Sequence, residues 1–171
     1  MAQSSGQPLS NWEPKLERLM AFGRRATEFN FEWPTQFDIS KWPFDRKIKM
    51  SRIKTNWTSL RSFQMTLTPN LTSPAMQASE LGNVDKEYVM NVQGAPITSV
   101  SVKLTGQMQI YGIKFTYSTG DVHVLFEADG GLWKEREIPK GKQIVGFYGN
   151  ADEDRINTLG FIVWTPNPNA L

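Results

Sequence analysis

The spacing of hydrophobic residues changes near residue 47. Downstream, apolar and polar positions alternate in "LRSFQMTL" (60–67), "ITSVSVKL" (97–104), "IKFTYSTG" (113–120), "VHVLF" (122–126) and "LGFIVW" (159–164). Turn-forming clusters separate them: "TPN", "STG", "ADGG", "IPKGK" and "TPNPN". A period of two, in runs rich in β-branched and aromatic residues, predicts half-buried strands, and no helical period interrupts them. Residues 47–165 therefore read as one all-β domain, with 166–171 as a short tail.

Upstream the pattern is different. A helix is predicted near residues 11–22, where Asn11 can cap, Pro14 suits the first turn, and Leu16, Leu19 and Met20 share a narrow apolar face. Gly23 supplies the stop. From 28 to 47, Phe29, Phe31, Trp33, Phe37, Trp42 and Phe44 stand among Pro34 and Pro43 with no sustained period. Rings so numerous are costly to leave in water. The arm of residues 1–46 must therefore either wrap back onto its own domain or dock on a partner.

Within the β region one pattern recurs: apolar, two others, then three apolar residues at every second position. It fits Leu60–Phe63–Met65–Leu67, Ile110–Ile113–Phe115–Tyr117 and Ile156–Leu159–Phe161–Val163, each preceded by another apolar strand starting at 47, 97 and 142. One four-stranded unit cannot bury its own face, but three around an axis can, by pointing alternate side chains inward.

Three segments of this repeat resemble one family. "YGIKFTYSTG" (111–120) is similar to a strand and turn of jacalin-like lectin domains. "IPKGKQIVGFYG" (138–149) resembles their proline–glycine turn and following strand, and "INTLGF" (156–161) their closing strand. The resemblance covers about residues 48–165 and implies a β-prism of three Greek-key sheets with a pseudo-threefold repeat. Here that prism follows an N-terminal extension containing one short helix, and the arm has no counterpart in the resemblance.

Composition narrows the functional classes. The net charge is +2, with 19 basic and 17 acidic residues, and bases adjoin only in the pairs Arg24–Arg25 and Arg46–Lys47, so there is no footprint for nucleic acid. With no cysteine, disulfides, thiolate metal sites and cysteine nucleophiles are excluded. That suits an intracellular compartment, cytoplasmic or organellar, and the basic amphipathic stretch 15–29 has a faint mitochondrial character that Glu13 and Glu17 oppose. No apolar run is long enough to span a membrane. The sequons at Asn56 and Asn70 matter only in a secreted chain.

Candidate chemistry concentrates in "GFYGNADEDRINTLGFIVW" (146–164). In the jacalin-like family the sugar site resembles a Gly-x-x-x-Asp loop just before the closing strand, and a carboxylate suits it by accepting two hydroxyls at once. Aligning "INTLGF" with that strand puts Asn157 at the aspartate and Glu153 at the glycine, two departures from the pattern. Tyr148, Gly149, Asp152, Asp154 and Asn157 are the candidate carbohydrate-binding residues. A calcium loop is disfavoured because Ile156 and Asn157 fall where ligands and a glycine are needed, and no metal or cofactor is expected. His123 shows no local partner for acid–base work and, by alternation, points to solvent while Val122 and Val124 point the other way. Trp57, Trp133 and Trp164 read as core or rim residues. With no catalytic constellation, an enzyme is not expected. The preferred reading is a structural or protein-interaction subunit of a larger assembly, with a degenerate sugar loop and Phe29, Phe31, Trp33, Phe37, Trp42 and Phe44 forming the partner-binding arm. The alternative is a carbohydrate-binding lectin using the 149–157 loop.

Overall fold

A computed structural model describes residues 15–43, 45–80 and 82–166. It contains three antiparallel sheets. In the first, β4 (Ile48–Asn56) and β5 (Ser59–Leu67) form a hairpin, β6 (Leu71–Thr72) and β7 (Met76–Gln77) extend it beyond β5, and β8 (Lys86–Asn91) returns beside β4. In the second, β9 (Ile97–Leu104), β10 (Ile110–Tyr117) and β11 (Val122–Glu127) follow in sequence, and β12 (Leu132–Glu137) returns beside β9. Three strands in succession and a fourth returning beside the first make a Greek key, so both sheets share one topology.

The third sheet is built from both ends of the described chain. Its centre is the hairpin of β13 (Gln143–Ala151) and β14 (Ile156–Trp164). The outer positions are filled from the N-terminal side: β1 (Leu16–Arg18) and β2 (Phe22–Gly23) pair with β14, and β3 (Phe31–Trp33) pairs with β13. Thus the arm supplies the strands that this hairpin would otherwise lack, covering two edges whose backbone groups need partners.

Every apolar position of the threefold repeat is buried, from Leu60 through Phe115 to Val163. The three sheets meet ring to ring at the axis: Phe63 lies 4.7 Å from Phe147 and 6.0 Å from Phe161, and Phe115 lies 6.2 Å from Phe161, all edge-on. Such edge-to-face rings are favoured over parallel stacks by their quadrupoles. The predicted prism is therefore what forms.

The helix predicted near 11–22 is not formed over its described part, and residues 11–14 lie outside the described residues. Residues 16–24 instead follow the open edge of β14, with Leu16 opposite Trp164, Leu19 N–H donating to Phe161 O at 2.9 Å and Arg24 N–H donating to Asn157 O at 3.0 Å. A narrow apolar face gives a helix little to bury, whereas an unpaired strand edge offers every second backbone group a partner. Among the described residues of the extension, a helix forms instead at α1 (Gln36–Ser40). Thr35 caps it, accepting from Asp38 N–H at 3.2 Å while the Asp38 carboxylate accepts from Thr35 N–H at 2.7 Å. This reciprocal capping box was present in "TQFD".

Most of the arm's rings are spent on this chain's own core. Phe31 stacks on Phe147 at 4.9 Å, Phe29 meets Tyr148 edge-on at 4.8 Å, and Trp42 lies 6.2 Å from Trp33 and 5.2 Å from Trp164. Phe37 is the exception, 67% exposed beneath the Lys41 ammonium. Phe44 lies outside the described residues.

Candidate carbohydrate site

The loop from Asp152 to Arg155 joins β13 to β14, and its acids have unequal roles. The Asp152 carboxylate accepts Asp154 N–H at 2.7 Å, Arg155 N–H at 3.0 Å and the Asn157 side-chain amide at 2.7 Å. Partial burial pushes the Asp152 pKa up, but the Asn157 amide, the two backbone N–H groups and the Arg155 charge outweigh it and hold the carboxyl below its ordinary value. The Asp152 carbonyl accepts from Ser79 N–H at 3.0 Å and the Glu153 carbonyl from Glu80 N–H at 3.1 Å, fastening the loop to the first sheet. Asp152 is therefore the organiser of the turn. Glu153 and Asp154 are exposed to solvent.

Two segments converge on this hairpin from the N-terminal side. Asn30 and Asn150 form a clasp: Asn30 N–H donates to the Asn150 side chain at 2.8 Å, the Asn30 amide donates to Ala151 O at 2.8 Å, and the Asn150 amide donates to Glu28 O at 2.9 Å. Further along, Thr158 donates its hydroxyl proton to Arg24 O at 2.7 Å. Gly23 makes that approach possible, with φ +96° and a Cβ position that would collide with the Asn157 carbonyl.

Between residues 20–29, the outer face of β13–β14 and the neighbouring edge strand β12 lies an open cavity of about 980 Å³. Phe22, Phe29 and Met108 give it apolar walls, and Thr27 and Thr158 contribute hydroxyls. This is within the size range of sites that enclose small organic ligands. Tyr148 reaches this cavity but is only 3% exposed, because its hydroxyl donates to Leu19 O and its ring is covered by Phe29 and Arg18. Burial pushes the Tyr148 phenol pKa up. Of the candidate residues, Tyr148 lines the cavity, whereas Gly149 is a strand residue opposite Leu159, Asp152 and Asp154 belong to the loop beside it, and Asn157 lies at the start of β14. Alignment along the loop points only to the loop. The cavity wall comes from five separate stretches, which no linear pattern joins.

His123 differs from the reading by alternation. A register shift between Ile113 and Lys114 sets the valines outward and leaves His123 half-buried, its Nδ1 3.2 Å from the Tyr117 hydroxyl. That hydroxyl also accepts Gln93 N–H at 3.2 Å, and burial raises its pKa. Trp164 is in the core and Trp133 half-buried, but Trp57 stands 86% exposed at the tip of the β4–β5 hairpin.

The jacalin-like lectin domain profile matches residues 32–162. No curated protein matches the chain by sequence. Among solved structures, the mannose-binding lectin from Champedak is 13% identical, with 90% of this chain and 98% of that chain covered at a TM-score of 0.61. Artocarpin in complex with mannotriose is 12% identical, covers 87% and 97%, and scores 0.62. Frutalin from Artocarpus incisa is 12% identical, covers 90% and 98%, and scores 0.63. At such identity the likeness establishes the shared fold. The expected role as an architectural subunit fastened by its aromatic arm does not stand. The structures sharing this fold include a mannose-binding lectin and a complex with mannotriose, and four of the arm's rings, Phe29, Phe31, Trp33 and Trp42, pack partly buried against the chain's own core.

Proposed function

The chain belongs to the jacalin-like lectin domain family, and from that premise we propose that it is a non-catalytic carbohydrate-binding protein. Its site is the end of the third sheet, where the 149–157 loop, segment 20–30 and the open cavity adjoin. The observation that carries this reading is the cavity itself, formed where the N-terminal segment crosses the loop-bearing hairpin of a lectin-family fold. Asn157 retains one free acceptor, its side-chain carbonyl, while its amide is held by Asp152. The aspartate pattern of the family is thus replaced by a braced loop, and the cavity offers more open surface for a ligand than the loop's own polar groups.

The test is a glycan array followed by titration calorimetry on the full chain. Binding is expected, and Ala26→Trp combined with Thr27→Trp, both exposed positions lining the cavity, should abolish it without lowering the melting temperature. Loss confined to Asp154→Ala and Asn157→Ala would move the ligand onto the loop tip. Silence on a broad array with folded protein would refute the reading.

A further inference from the structure

The charges around the cavity are all of one sign. Arg24 and Arg25 line it from the N-terminal segment, and Lys134 and Arg136 line it from β12 in a different sheet. Among the described residues, no aspartate or glutamate lines it. The strand period explains the second pair. In "LWKERE", Lys134 and Arg136 are two residues apart and share one face of an edge strand, while Glu135 and Glu137 fall on the other. Ser99 donates to Glu135 at 3.0 Å on that opposite side.

These cations are also uncommitted. Among the described residues, ion pairs join Arg18 to Glu32, Arg52 to Glu87, Lys103 to Glu127 and Lys142 to Glu17, and none involves the four cavity cations. Arg136 donates one nitrogen to its neighbour's carbonyl, Glu135 O at 3.2 Å, and another to Met20 Sδ at 3.4 Å, and lies 4.9 Å over the Phe22 ring. These contacts position a guanidinium without neutralising it. On a chain whose net charge is only +2, four like charges around one concavity are not a consequence of overall composition. Their mutual repulsion is relieved by an anion.

Resting on the carbohydrate reading above, we infer that the ligand of this cavity is an acidic saccharide, an oligosaccharide bearing carboxylate or sulfate groups. Cations alone would suit any anion. The apolar walls of Phe29 and Met108 and the Thr27 and Thr158 hydroxyls suit the carbon faces and hydroxyls of sugar rings, and a volume of about 980 Å³ far exceeds one inorganic anion. Arginine's planar fork matches both carboxylate and sulfate oxygens.

The experiment is calorimetry of the full chain with four probes: a hyaluronan hexasaccharide, carrying carboxylates only, a chondroitin sulfate hexasaccharide, mannotriose, and a polyphosphate of matched charge. One or both acidic saccharides should bind at least tenfold more tightly than mannotriose, and which of them does so identifies carboxylate or sulfate as the recognised group. The preference should weaken as salt is raised from 0.05 to about 0.5 M, where screening shortens to a few ångströms. Arg24→Gln with Arg25→Gln should lower acidic affinity about tenfold, and Lys134→Gln alone to a smaller degree, each lowering any mannotriose affinity by less, so that the preference for acidic saccharides narrows. Equal binding of mannotriose and the acidic saccharides overturns the inference but leaves the carbohydrate reading intact. Polyphosphate binding as tightly as the hexasaccharides reduces the cavity to a nonspecific anion patch and also overturns it. No saccharide binding at all refutes both.

Discussion

Gly160 is a position where a single added methyl group should be costly for an identifiable reason. It sits opposite Tyr148 across β13–β14, and a Cβ there would enter the Tyr148 ring and come within 2.7 Å of its hydroxyl oxygen. Tyr148 must then shift, giving up its bond to Leu19 O and its edge contact with Phe29. Overpacking costs ~1–3 kcal/mol, the hydrogen bond ~1 kcal/mol and the ring pair ~0.5–1.5 kcal/mol, so Gly160→Ala should destabilise by roughly 2.5–5.5 kcal/mol. For a chain of this length that corresponds to a fall in Tm of about 5–20 °C. Urea and thermal unfolding of a double-mutant cycle with Tyr148→Ala isolate the cause. Once the ring is gone, adding the methyl should be neutral or stabilising by up to ~1 kcal/mol, since alanine outperforms glycine in a strand. A coupling below about 0.5 kcal/mol, the usual limit of additivity for independent sites, would show that the ring is not what excludes the methyl.

Two further outcomes test the loop and the arm. Asp152→Asn should cost about 0.5–1 kcal/mol at neutral pH, discounted for exposure. Because the folded carboxyl titrates below its ordinary 3.8, its contribution is full above that value and lost as pH falls through the depressed one. The urea midpoints of wild type and variant should therefore converge as pH is lowered well below 3.8, and a gap independent of pH would contradict the role given to the carboxylate. Removing residues 1–34 strips β1, β2 and β3 from the third sheet, so the remainder should lose cooperative unfolding in calorimetry. A truncated chain melting within a few degrees of the full protein would mean that the arm is dispensable.

What the sequence disclosed depended on period. The strands of the prism are eight or nine residues long in their central hairpins, enough for alternation to be read, and every repeat position proved to be core. The arm's strands are two or three residues long, too short to carry a period, and exist because β13 and β14 offer edges. Leu16, Leu19 and Met20 looked helical for the same reason: spacing within one turn cannot distinguish an amphipathic helix from an irregular edge strand. His123 was misread because one bulge at Ile113–Lys114 inverts the faces beyond it. At the site, the alignment of "INTLGF" located the loop, but the basic cavity joins residues 20–29, 104–108, 134–136, 148 and 158, which only folding brings together.

The pairing of Leu16 with Trp164 also dictates an order of events. The first two sheets are assembled from neighbouring hairpins, whose closure entropy is small. The third requires the earliest described strand to meet the last, across nearly the whole chain. On a ribosome, residues 16–33 would be made long before their partners, with Phe22, Phe29, Phe31 and Trp33 uncovered throughout. Sealing of the prism is thus a late, non-local step of the kind that slows folding and exposes a chain to aggregation. The cavity, walled in part by Phe22 and Phe29, would be the last part of the molecule to come into being.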